Sequence, residues 1–440
     1  MHGSSALVMS LRFFEGPAGS GKTTQLFTEL AAMLDQRPVK DHERVLALTK
    51  MHGSRRRMQG RLLGLSGPRN RFECVTMDSF AWHVARRWRS LASARGFGEV
   101  RETDYPEVCR TAGVLMEHSV VRQWLASAFP FVVVDEAQDS KEGQLDIIRA
   151  LSESATCLAA ADDYQDLDAS GENAAVAWAR QAGDLVLLTH NHRTSAAGLL
   201  AAASALREGR AVPENGGGLW ILGAHNHNAG AGHVSRNLTW WHACDDIAVI
   251  TPVRAANSQF VRNLVARVEQ SPIGNPAVGP HRIPWEVSQE DQCEHYISGL
   301  ELPADPSTEL RVSALHLPDG LAVSAALGAW FDQRRRLTGM TTVTVRDILQ
   351  QVGFIHQRSR AHRRVRDRGV RAMTIHQAKN REFDSVIVLW PYEVAGSADR
   401  QRRLLYNAIT RAKRHAVVVV QNPARLQQPP FVPDGGGATT

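Results

Sequence analysis

The chain has 440 residues, room for two to three domains, and its 43% hydrophobic content supports ordinary cores. Its net charge of +6 permits a polyanionic partner without demanding one. No apolar run approaches the ~20 residues of a membrane span, and the five cysteines lie far apart with no C-x-x-C pair, which argues against a zinc site or a disulfide framework. A cytoplasmic protein with no membrane partner is the expectation, and Ala6–Met9 is too short for a signal peptide.

Taken in chain order, Leu11-Arg12-Phe13-Phe14-Glu15 reads as a strand. It runs into Gly16-Pro17-Ala18-Gly19-Ser20-Gly21-Lys22-Thr23-Thr24, which fits the phosphate-loop spacing G-x-x-x-x-G-K-[ST]. Residues 22–34 follow as a helix with Phe27, Leu30, Ala31 and Leu34 on one side. Residues 44–49 and 73–77 read as buried strands, with a basic helix at 54–63 between them. Residues 81–128 are helical and carry Trp82, Trp88 and Trp124. Phe131-Val132-Val133-Val134 is apolar throughout, as a strand of a doubly covered parallel sheet must be. A helix at 141–151 and a strand at 156–161 complete a doubly wound α/β domain.

A second set of strands is expected at 185–188, 247–250, 371–375, 385–389 and 416–420. Residues 209–235, rich in Gly, Asn and His, read as loop or a short excursion. Residues 265–365 break the alternation, the basic 358–371 stretch reads as a DNA-phosphate contact or a solvated helix face, and the tail from Pro429 reads as disordered.

The chemistry lies at strand ends. Loop N–H groups and a helix N-terminus cradle phosphate, Lys22 reaches the β- and γ-phosphates, and Thr23 ligates Mg²⁺. Asp135 and Glu136 follow the 131–134 strand, where open α/β sheets bind ligands. Asp135 is placed to hold Mg²⁺ and Glu136 to activate the attacking water. Gln165, in Ala161-Asp162-Asp163-Tyr164-Gln165, is placed to sense the γ-phosphate or to position water. Arg193, in Asn191-His192-Arg193-Thr194, would reach a nucleotide across a domain cleft. Residues 402–413 read as an amphipathic helix with Leu405, Ile409 and Ala412 inward and Arg411 offset.

In order, GPAGSGKTT, LALTK, TMDSFA, VVVDEAQD, ADDYQ, NHRT, TIHQAKNREFD and LLYNAITRAK resemble the motif series of UvrD/Rep-type superfamily 1 DNA helicases, across residues 11–421. The resemblance implies an α/β fold of two RecA-like P-loop NTPase domains, parallel sheets flanked by helices, with small helical insertions. The first domain would span 1–182 with an insertion at about 82–128, the second 183–425 with an insertion at about 265–365, and 426–440 would be a disordered tail. It further implies ATP with Mg²⁺ held by Gly16 to Thr24 and Glu382, arginine fingers at Arg193 and Arg411, and an ssDNA path lined by Thr49, Thr76, Ser79, Phe80, Tyr164, Thr374 and His376.

The function so implied is an ATP-dependent 3′→5′ helicase or translocase on single-stranded and partly duplex DNA. The alternative is an ATP-driven switch or loading subunit that clamps DNA for a nuclease or defence partner without processive unwinding, and a nuclease or repair protein is the expected protein partner. Four positions depart from the family: Asp78 stands where it has histidine, Asp168 where it has tyrosine, Asn380 where it has glycine, and no adenine-reading glutamine precedes Gly16. With Asp168 in place of tyrosine, base stacking there would fall to Tyr164 or Trp178, or be absent.

Overall fold

A computed structural model describes residues 11–50, 52–65, 71–98, 100–102, 104–168, 171–213, 215–241, 246–286, 289–360 and 369–433. The first sheet takes β1 (Leu11–Glu15), β2 (Val45–Thr49), β3 (Phe72–Thr76), β4 (Phe131–Val134), β5 (Thr156–Ala161) and β6 (Asp184–Leu187). Their spatial order is β3-β2-β4-β5-β1-β6, and every pairing is parallel. β4 is buried at all positions, as its unbroken valine run requires of a strand covered on both faces.

The remaining strands are β7 (Leu219–Ala224), β8 (Asp246–Thr251), β9 (Glu309–Arg311), β10 (Thr342–Thr344), β11 (Gly369–Thr374), β12 (Phe383–Trp390) and β13 (Ala412–Gln421). Five form the second sheet in the order β11-β8-β12-β13-β7, again all parallel. The expected fold class, two α/β domains of parallel sheets flanked by helices, is what the structure shows.

Four details correct the expectation. β6 pairs with β1, so the 185–188 strand closes the first sheet and does not open the second. Residues 209–235 are loop only in their first part: β7 forms the edge of the second sheet, and the helix His227–Trp240 follows it. The helix predicted over 402–413 runs Ala398–Ile409, and Ala412 begins β13. The tail is ordered as far as it is described: Phe431 is buried, stacks edge-on against Trp390 at 6.0 Å, and its carbonyl accepts the Val212 N–H at 3.0 Å. The rest of that tail, 434–440, lies outside the described residues, as do 361–368 of the basic stretch.

The chain divides into two compact units. The first comprises residues 1–77, 116–286 and 366–440, and holds both parallel sheets. The second joins residues 78–115 to 287–365. The two expected insertions therefore form one body. Their limits shift: helix Ser119–Ala128 and helix Gln259–Gln270 belong to the first unit. The second unit has its own core of Tyr296, Leu300, Leu327, Phe331, Val343, Ile348, Val352 and Ile355. An Arg101–Asp347 ion pair ties its two chain segments together.

Candidate nucleotide site

The site gathers at the carboxyl ends of β1, β4 and β5. Residues 16–21 leave β1 and feed the helix Lys22–Gln36. Gly19 (φ +82°) and Gly21 (φ +81°) hold the loop in left-handed backbone, which glycine alone adopts without strain. A Cβ on Gly16 would meet the Leu188 carbonyl oxygen at 2.4 Å, so no larger residue fits there. Lys22 is buried, and its Nζ donates to the carbonyls of Gly16 (2.8 Å) and Pro17 (3.1 Å). The Ser20 hydroxyl is buried without a hydrogen-bond partner among the described residues, an orphan polar group that a phosphate oxygen would satisfy. Thr24 is exposed on the first helical turn.

Thr23 Oγ1 lies 3.2 Å and 3.4 Å from the two carboxylate oxygens of Asp135. Burial, with Glu136 beside it, pushes the Asp135 carboxyl up to about 6. A hydroxyl and a buried carboxylate are the hard oxygen donors that Mg²⁺ takes, so these residues fit that ion. Glu136 occupies left-handed backbone (φ 58°), strain of a kind that clusters at active sites. Its carboxylate accepts from Gln138 Nε2 at 2.6 Å, while Gln138 Oε1 accepts the Asp162 N–H at 3.1 Å. Gln138 thus ties the end of β4 to the end of β5. Gln165 is buried in the short helical turn Asp163–Gln165.

The opposite wall comes from the second sheet, and Arg193 reaches it from the segment that links β6 of the first sheet to the helix Ala197–Arg207. Arg193 donates to the Glu382 carboxylate (2.9 Å) and to the Thr410 carbonyl (2.8 Å). Glu382 thereby serves as the counter-ion of Arg193, which with Lys413 and Arg411 outweighs its burial and lowers its carboxyl below the ordinary range. Arg411 is 2% exposed in the turn before β13, with Nε on the Asn407 carbonyl at 3.0 Å. Burial, then the charge of Arg193, pull its guanidinium down to about 10, while Glu136 and Glu382 act the other way. Lys379 pairs with Asp139 on the first wall.

The helix Ala398–Ile409 faces this junction. Every residue from Arg402 to Ile409 is buried. Tyr406 accepts the Ala18 N–H at 2.8 Å and donates to Asp162 at 2.9 Å. Asp162, fully buried, also pairs with Arg207 and lies 4.0 Å from Lys22. Burial pushes its carboxyl up, but Lys22, Arg207 and the Tyr406 hydroxyl outweigh that and hold it below the usual range.

The residues expected on a DNA path are scattered. Thr49 and Thr76 are buried at the ends of β2 and β3. Thr374 caps the helix Ile375–Ala378 in a reciprocal box with Gln377, and His376 is exposed on that helix. In the second unit, Ser79 is half-buried and Phe80 is 1% exposed, so Phe80 offers no ring face for stacking. Tyr164 is likewise enclosed: its hydroxyl donates to the Leu206 carbonyl (2.6 Å) and its ring meets Tyr406 edge-on at 5.1 Å. Both rings pack inward in this structure.

Asp162, Arg207, Gln138 and Tyr406 carried no role in the sequence reading. Tyr406 and Asp162 lay inside recognised motifs, but their pairing spans 244 positions and left no local signal.

Residues 369–419 match the UvrD-like helicase C-terminal domain. That segment carries β11, Lys379, Glu382, Tyr406 and Arg411, and the match supports a helicase-type protein. No curated protein matches the chain. Among solved structures, an Arterivirus nonstructural protein 10 (helicase) is similar at 11% identity and a TM-score of 0.38, over 94% of this chain and 59% of that one. A likeness that loose carries no weight for fold or function, and this chain spans little more than half of that protein's length.

Proposed function

We propose that the chain is an ATP-dependent helicase or translocase that moves 3′→5′ on single-stranded DNA. The observation that carries this is the two-walled site. The phosphate loop, Asp135 and Glu136 stand on one wall and Arg411, inside the helicase-type segment, on the other, while Arg193 lies in the link after β6 with its guanidinium held by the second wall. In this reading Gly16 to Thr24 bind the triphosphate of ATP, and Lys22 leaves its carbonyl partners to reach phosphate oxygens. Thr23 and Asp135 hold Mg²⁺, which neutralises charge on the phosphates when bound. Glu136, oriented by Gln138, takes the proton of the attacking water. Arg193 exchanges Glu382 for phosphate, and Arg411 supplies fixed positive charge in a desolvated setting where it acts strongly. Because Arg411 belongs to the second wall and Arg193 is held by it, hydrolysis depends on how the walls are docked, which couples chemistry to motion.

The deciding experiment pairs ssDNA-stimulated ATPase with unwinding of 3′- and 5′-tailed duplexes. The expected result is stimulated hydrolysis and displacement from the 3′ tail only. Stimulated hydrolysis without displacement, with a single-strand trap present, would favour the clamping switch, and displacement from the 5′ tail would overturn the polarity. Equal or greater stimulation by ssRNA of the same sequence would overturn the choice of DNA.

A further inference from the structure

We propose that Asp162 and Tyr406 form a positioning pair that fixes the phosphate loop against the arginine-bearing wall and sets turnover, not nucleotide affinity. The inference rests on the hydrolytic function proposed above and names residues that function did not use.

The Tyr406 ring is fully buried, and its hydroxyl has one proton to donate and two lone pairs that accept, the longer of the accepted bonds coming from Arg207 at 3.4 Å. The proton goes to Asp162 Oδ2 at 2.9 Å, and the oxygen accepts the Ala18 N–H at 2.8 Å. A hydroxyl held at both ends is fixed in rotation, so it defines where Ala18, and with it the phosphate loop, sits. Asp162 is held as firmly. Its Oδ1 accepts from Arg207 and from the Tyr164 N–H at 3.2 Å. Ala18 and Asp162 leave neighbouring strands of the first sheet, β1 and β5, whereas Tyr406 and Arg207 come from helices packed on the second. The pair therefore bolts one wall to the other at the loop itself.

The connection continues to the arginine. Asn407, next to Tyr406, donates to the Tyr164 carbonyl at 3.3 Å and takes Arg411 Nε on its own carbonyl at 3.0 Å. Arg403, one turn back, donates to the Asp163 carbonyl at 2.5 Å. One helix thus holds the phosphate loop, the turn that carries Gln165, and Arg411. A buried charged cluster is poor value as a source of stability, since apolar side chains of equal volume hold an interface as well. What it supplies is direction: hydrogen bonds fix relative position to a few tenths of an ångström, and a misplacement of an ångström in a phosphoryl-transfer site is expensive in rate.

The test uses the full chain and compares Tyr406→Phe with wild type. The phenyl ring keeps the packing and removes only the hydroxyl. Three quantities are read: melting temperature, equilibrium Kd for a fluorescent ATP analogue, and kcat of ssDNA-stimulated hydrolysis. The expected result is an unchanged Kd and a kcat about tenfold lower, which corresponds to about 1.4 kcal/mol of transition-state stabilisation. Asp162→Asn is the second variant, and Arg207→Lys the third should either fail to fold; both are expected to lower kcat with Kd held. Wild-type kcat in Tyr406→Phe, or a fall in kcat matched by an equal loss of affinity, overturns the pairing as a positioning device. If wild-type protein hydrolyses no nucleoside triphosphate, the proposed function falls and the pair with it; hydrolysis by wild type with an unaltered variant removes the pair alone.

Discussion

At the scale of single residues, Lys22 and Arg411 show how differently two cations reach one site. Lys22 was legible because its chemistry is written in contiguous sequence: the glycines, the strand before and the helix after all lie within reach of local pattern. Lys22→Ala is expected to abolish hydrolysis and weaken ATP-analogue binding at least tenfold, read by fluorescence titration. Glu136→Gln keeps the left-handed backbone and the Gln138 contact in reach, so binding is retained while turnover falls about a hundredfold or more. Arg411 was assigned only by motif order, and its surroundings were not legible. It sits where a helix gives way to β13, whereas the run from Leu405 to Ala412 keeps helical spacing and conceals that break. Its depressed guanidinium reflects burial beside Arg193, a stored electrostatic cost that an incoming phosphate would relieve. Arg411→Ala should therefore lower ssDNA-stimulated kcat by about three orders of magnitude without lowering the melting temperature. A variant with wild-type turnover would sink the two-walled mechanism.

At the scale of elements, the four residues from Lys379 to Glu382 show what a turn can do that no motif states. Lys379 pairs with Asp139, Arg381 forks onto Glu286 at 2.6 and 3.0 Å, and Glu382 holds Arg193. Consecutive side chains can address three different segments only because Asn380 turns the backbone through left-handed space (φ 61°). Asparagine stands there in place of the glycine of the resembled family, and it is the residue besides glycine that tolerates this conformation. Asn380→Gly is expected to leave ATPase and stability near wild type. Asn380→Val, with a branched Cβ at positive φ, should cost about 1–2 kcal/mol in denaturant unfolding and slow turnover by misaligning Glu382. Equal behaviour of the two variants would mean the turn carries no strain. The neighbouring errors of element assignment have related causes. β6 is an edge strand, exposed at most of its positions, so its apolar run said "strand" without saying which sheet it joins. β7 hides in a glycine- and asparagine-rich stretch because only six residues separate the turns around it.

At the scale of the molecule, the two insertions are distant in sequence and fold as one unit with its own core, while both sheets share the other unit. Nothing in periodicity or spacing links residues 78–115 to 287–365; the link is tertiary, and the Arg101–Asp347 pair spans 246 positions. A separate core implies separate cooperativity. Leu327 is completely buried in that core, and Leu327→Ala removes packing that nothing nearby can refill without shifting, a loss of about 2–5 kcal/mol. Calorimetry of the full chain should then show one transition moved down and the other unmoved. Unstimulated ATPase, which depends on the sheet-bearing unit, should survive at temperatures where the second unit has melted. A single transition that shifts as a whole would mean that the two units unfold together.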